Sequence, residues 1–142
     1  MLRALCTSAL AVVVSAGCGS GSSDTAAPAT FSQVYPLIFP RATKAQCSFC
    51  HGLPPNEKSN GNLSTGMDQS SAYRALVGPL STSAKCLGKP YVVPGKPQES
   101  LLLLKVTQSP ACGDGMPLGG DPLTNAQVEM IRSWITAGAL DD

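Results

Sequence analysis

Histidine is nearly missing from this chain: His51 is the single one among 142 residues. That excludes any site needing two imidazoles. A hydrolase built on a serine or cysteine nucleophile also fails, because no histidine remains free to act as its base. Charge is scarce as well, with 13% of residues charged and a formal net charge of +1, too little for a field that holds nucleic acid or a polybasic patch that holds anionic lipid. No nucleic-acid partner is expected. The apolar stretch from Ala4 to Val14 is about a dozen residues, short of the roughly 18 to 20 that cross a bilayer. Beyond Cys47 and Cys50 there is no second closely spaced cysteine pair, which leaves a structural zinc site incomplete.

What is present at the N-terminus has the layout of an export signal. Met1-Leu2-Arg3 is positive, the apolar run follows, and Ser15-Ala16-Gly17 ends it in small residues before Cys18. This resembles the bacterial lipoprotein box, which implies a signal peptide over 1–17 and acylation of Cys18 as the new N-terminus. Gly19 behind it is similar to the pattern sent to the outer membrane. The expected location is the cell envelope, lipid-anchored, at the outer membrane or in the periplasm. Residues 18–30 then form a lipidated cysteine and a tether of small polar residues, with a span of roughly 20 Å. Removing residues 1–17 leaves 125 of the 142, enough for one domain with one core, over 31–142.

The chemistry is concentrated in Cys47-Ser48-Phe49-Cys50-His51, the attachment spacing of a c-type haem. Two thiols one helical turn apart can each add to a vinyl group on one edge of the porphyrin, and the histidine directly behind them is then placed to ligate iron. Cys6 leaves with the signal and Cys18 takes lipid, so Cys86 and Cys112 remain. An exported protein oxidises such a pair, and a Cys86–Cys112 disulfide is expected.

Short helices and long loops are expected around this motif. Phe31, Val34, Tyr35 and Ile38 recur at helical spacing with Ser32 as a possible cap, while Pro36 argues against continuation and Pro40 for a stop. A second helix is expected over Ala42 to Cys50, closed by Gly52, Pro54 and Pro55, before a polar loop from Asn56 to Gly66. Asp68 can cap a helix over Ser70 to Val77, with Gly78-Pro79 as its stop. Pro94-Gly95 marks a turn, and Pro97 opens a helix that runs through Leu101–Leu104 to Val106. Those four leucines fit an ordinary buried element or one wall of a haem pocket equally well. Thr124 and Gln127 have capping-box spacing ahead of Val128, Met130, Ile131, Trp134 and Ile135, and Gly138 follows as a C-cap.

With one histidine used, methionine is the usual choice for the sixth iron ligand. Met116 lies in the glycine- and proline-rich loop from Gly113 to Pro122, where backbone can come close to a flat cofactor, and is preferred. Met67, just before a helix, and a lysine, water or open site stay as alternatives; Met130 sits among apolar residues as core filler.

Helix, CxxCH, further helices, a Met-Pro loop and a last helix with an aromatic residue together resemble class I cytochrome c. More narrowly, Val93-Pro94-Gly95-Lys96-Pro97 with Ser100-Leu101-Leu102, then Met116-Pro117-Leu118-Gly119-Gly120 and Ile131 to Ala139, is similar to the planctomycete-type cytochrome c domain. The resemblance covers Phe31 to Ala139. It implies an all-α, class I cytochrome c-like fold around one covalent haem c, with first and last helices crossing beside the ring and Met116 reaching the iron opposite His51. The function so implied is electron transfer to and from redox partner proteins, with no catalytic residues. Two alternatives stand against it: a Cys47/Cys50 dithiol redox site, and zinc held by Cys47, Cys50, His51 and either Cys86 or Cys112.

Overall fold

The computed structural model describes residues 27–40, 47–52 and 63–142. The leader, Cys18, most of the tether, residues 42–46 of the expected second helix, Pro54 and Pro55 and much of the expected polar loop lie outside the described residues. Among the described residues the chain is all-α: helices α1 (Phe31–Ile38), α2 (Cys47–His51), α3 (Gln69–Leu76), α4 (Leu101–Val106) and α5 (Asn125–Thr136), with a single 3-10 turn at Pro97–Glu99. No strand forms among them, only isolated bridges at Val77 with Val92 and at Leu80 with Pro90. None of these helices is long and apolar enough to cross a membrane.

Helix α1 starts two residues earlier than a Ser32 cap would arrange. Its N-cap is Thr30, in a reciprocal capping box with Gln33, and Ser32 lies inside the first turn. The remaining amide donors of that turn go to the other end of the chain: Phe31 N–H donates to Asp142 Oδ1 at 2.8 Å and Ser32 N–H to the Asp142 carbonyl at 3.0 Å. Ala29 N–H donates to Ser133 Oγ on α5, so the last tether residues already belong to the packed structure. Pro36 does not stop the helix. The carbonyl its missing N–H would have engaged is that of Ser32, and Ser32 and Pro36 share the exposed face, where water can serve instead.

Helices α1 and α5 pack on each other, α3 packs on α1, and α4 packs on α5. The centre of this packing is Phe31, fully buried, with ring centroids 4.8 Å from Trp134, 5.5 Å from Tyr73 and 6.1 Å from Phe39. The two polar rims of that cluster are satisfied at the C-terminus, Tyr73 Oη donating to the Ala139 carbonyl and Trp134 Nε1 to that of Leu140. Gly138 at φ 107 lets the chain double back there.

Asp68 caps α3 through Ser71 N–H as expected, with the helix running Gln69–Leu76. Val77 behind it is extended, and the chain then turns over residues 83–88. Pro94 and Gly95, the latter at φ 77, form a turn closed by Lys96 N–H on the Val93 carbonyl, and Gly95 N–H ties that turn to Ile135 of α5. One continuous helix from Pro97 does not form. Ser100 stands extended between the 3-10 turn and α4 because its buried hydroxyl accepts from Val93 N–H at 2.9 Å and donates to the Lys96 carbonyl at 2.9 Å, a local alternative to helical bonding. The first amides of α4 instead reach Pro90 and Tyr91 carbonyls. In α4 the run is buried at Leu101 and Leu103 and half-buried at Leu102 and Leu104.

Cys86 and Cys112 are disulfide-bonded, with 5.5 Å between their Cα atoms, tying the segment before α4 to the loop after it. Opening the 26-residue separation by substituting both with alanine is expected to cost about 3 kcal/mol. A lowered denaturant midpoint, with a steeper slope from the more expanded unfolded chain, would show it; an unmoved midpoint would mean that the bridge contributes nothing to stability.

Candidate haem-attachment site

The CxxCH residues form α2 and are tied to the end of α1 through Ser48 N–H, which donates to the Phe39 carbonyl at 2.8 Å. Cys47 and Cys50 are unpaired thiols, Cys47 half-buried against the core and Cys50 exposed. Burial pushes the Cys47 thiol up to about 12, and Cys50 adds to that rise. Phe49, between them, is 65% exposed.

His51 is held from behind. Its Nδ1 lies 3.2 Å from the Leu63 carbonyl oxygen, and since a carbonyl only accepts, Nδ1 carries the proton. Burial keeps the imidazole below the ordinary histidine range, opposed by that same hydrogen bond. The ring is therefore neutral, with the lone pair on Nε2, which is the state and tautomer that binds a metal. The His51 carbonyl is taken by the backbone N–H and, at 3.0 Å, the hydroxyl of buried Thr65. Gly52 permits this close wrapping, because a Cβ there would run into the Ser48 carbonyl and lie 2.6 Å from Met67 Sδ. The Ser48 hydroxyl is buried without a hydrogen-bond partner.

The close approach of its sulfur places Met67 beside Gly52, directly behind the motif. Met130 packs on the core from α5. Met116 lies elsewhere, half-buried, in a loop built on the C-terminal turn of α4: its N–H donates to the Lys105 carbonyl at 2.9 Å, and its own carbonyl accepts from Gln108 Nε2. Lys105 Nζ donates to the carbonyls of Cys112 at 2.6 Å and Asp114 at 2.8 Å, holding the loop that the disulfide anchors. Burial lowers the Lys105 ammonium below its ordinary range, against the pull of Asp114. Leu118, 67% exposed, follows in the same loop.

The residues present fit a covalently attached haem on three counts: a free thiol pair one turn apart, an imidazole engaged through Nδ1 by the Leu63 carbonyl, and apolar Phe49 and Leu118 exposed. They fit zinc less well. Both candidate fourth ligands, Cys86 and Cys112, are consumed by the disulfide, and among the described residues no three His, Cys, Asp or Glu side chains converge as a metal cage would require. Of the interactions at this site, the Leu63 carbonyl and Thr65 are not readable from spacing, since one is a backbone group and the other a common loop residue. No protein-family model, curated protein or solved structure matches this chain.

Proposed function

We propose that this chain is a single-haem c-type cytochrome of class I type, anchored to the cell envelope through Cys18 and passing electrons between redox partner proteins. The observation that carries this reading is the His51 Nδ1 contact with the Leu63 carbonyl inside a CxxCH helix. It fixes the tautomer, leaving the lone pair on Nε2. When bound, haem c supplies the Fe(II)/Fe(III) couple, and no substrate bond is made or broken.

The chain's own residues bind and orient the cofactor. Cys47 and Cys50 would hold it as thioethers, His51 would ligate the iron with its Nδ1 proton already engaged, and Met116 would come from the α4 side as the distal ligand. A thioether opposite a histidine raises the reduction potential relative to more basic ligation. Cys50 and Phe49 are exposed, so a haem attached there would be open to a partner protein. A dithiol redox role is less well supported, because a nucleophilic CxxC needs a lowered thiol pKa and that of Cys47 is raised.

The test is optical. Protein exported from a host with haem-maturation machinery should show sharp low-spin alpha and beta bands on reduction; a colourless product would refute the proposal. In the oxidised protein, Met116→Ala should abolish the weak sulfur-to-iron charge-transfer band and lower the potential. Loss of the band in Met67→Ala instead would move the ligand to the other loop.

A further inference from the structure

Gln108 occupies a backbone conformation that its residue type disfavours. It sits at φ 57, immediately behind the cap of α4, a position where glycine is the usual occupant. A non-glycine residue kept in the left-handed region points to a use for its side chain. That side chain donates through Nε2 to the Met116 carbonyl. The loop is shaped to receive it: a Cβ at Gly115 would lie 3.2 Å from Gln108 Cδ and 3.5 Å from its Cα, and would overlap Oε1.

Met116 is thus gripped at both backbone groups from the end of α4, its N–H by the Lys105 carbonyl and its carbonyl by Gln108 just behind the cap. Its own side chain has three rotatable bonds and ends in a neutral, weakly binding sulfur, inside a loop of glycines that would otherwise lose much freedom on ligation. We propose that Gln108 is a positioning residue for the distal ligand, its left-handed backbone aiming an amide that holds Met116 in ligating range of the iron. This rests on the reading of Met116 as the sixth ligand. The backbone grip raises the fraction of molecules with a closed distal side, and any foreign ligand must compete with that fraction.

Two variants separate positioning from folding. Gln108→Gly suits the positive φ and removes the amide; Gln108→Glu keeps the shape and replaces the donor with an acceptor. In oxidised holoprotein both are expected to bind added imidazole about five- to tenfold more tightly than the parent and to lose part of the sulfur-to-iron band. Gln108→Gly should do so with its unfolding midpoint unchanged or raised. Parental imidazole affinity and an intact band in both variants would overturn the proposal. A parent whose band survives Met116→Ala would overturn the ligand assignment and this inference with it, and a parent without covalent haem would overturn the functional reading itself; the three results are distinct.

Discussion

Replacing Cys47 and Cys50 together with alanine is expected to give a protein from which all pigment is removed by denaturation and organic extraction. Among the described residues these are the two thiols left unpaired, while Cys86 and Cys112 are oxidised. They sit one turn apart on α2, which itself depends on Phe39 and Thr65 rather than on any bond between the thiols. Each single variant should keep the porphyrin attached by one thioether, with its alpha band moved to longer wavelength because one vinyl group stays conjugated. His51 would still be positioned by Leu63 in all three, so loss of attachment and loss of ligation are separable. A double variant that retained porphyrin through denaturation would show that attachment does not run through this motif.

The second large effect is on stability. Phe31→Ala should destabilise the protein by about 3–5 kcal/mol, the usual cost of emptying a large aromatic site in a core. That is a sizeable part of the roughly 5–15 kcal/mol that holds a domain folded. Phe31 has no exposed surface, and its ring meets Trp134, Tyr73, Phe39 and Tyr35 from α1, α3 and α5, so no single neighbour can collapse into the space. The consequence reaches the motif, since Phe39, whose ring packs 6.1 Å from that of Phe31, supplies the carbonyl on which α2 starts. Leu37→Ala, on the exposed side of α1 at 42% exposure, should stay within about 0.5 kcal/mol of the parent. Denaturant titration of the two variants checks this, and equal midpoints would mean that the aromatic cluster is not the core.

What spacing and local chemistry dictate was legible from the residues. Asp68, Thr124 with Gln127, Gly138, and Pro94-Gly95 all stand where capping and turn rules put them, and the cysteine pairing followed from compartment and elimination. The first cap was misplaced between neighbouring hydroxyls: Gln33 lies three residues after Thr30, and that capping-box spacing was the signal favouring Thr30 over Ser32. Other features depend on contacts far along the chain. Asp142 satisfying the start of α1, and the Leu63 carbonyl behind His51, have no local signature. Ser100 interrupts the helix begun at Pro97 because its partners at Val93 and Lys96 lie in the preceding turn. Gln108 hid for a different reason: a residue seldom found at positive φ reveals itself only when the backbone is seen.

The central claim is that the peptide around Cys47, Cys50 and His51 carries a porphyrin by covalent bonds. Tryptic digestion of exported protein should release the fragment between Lys44 and Lys58, residues 45–58, with mass increased by one haem and the visible spectrum travelling with that fragment. The same fragment at its bare peptide mass, from a host that loads other c-type cytochromes, would contradict the account.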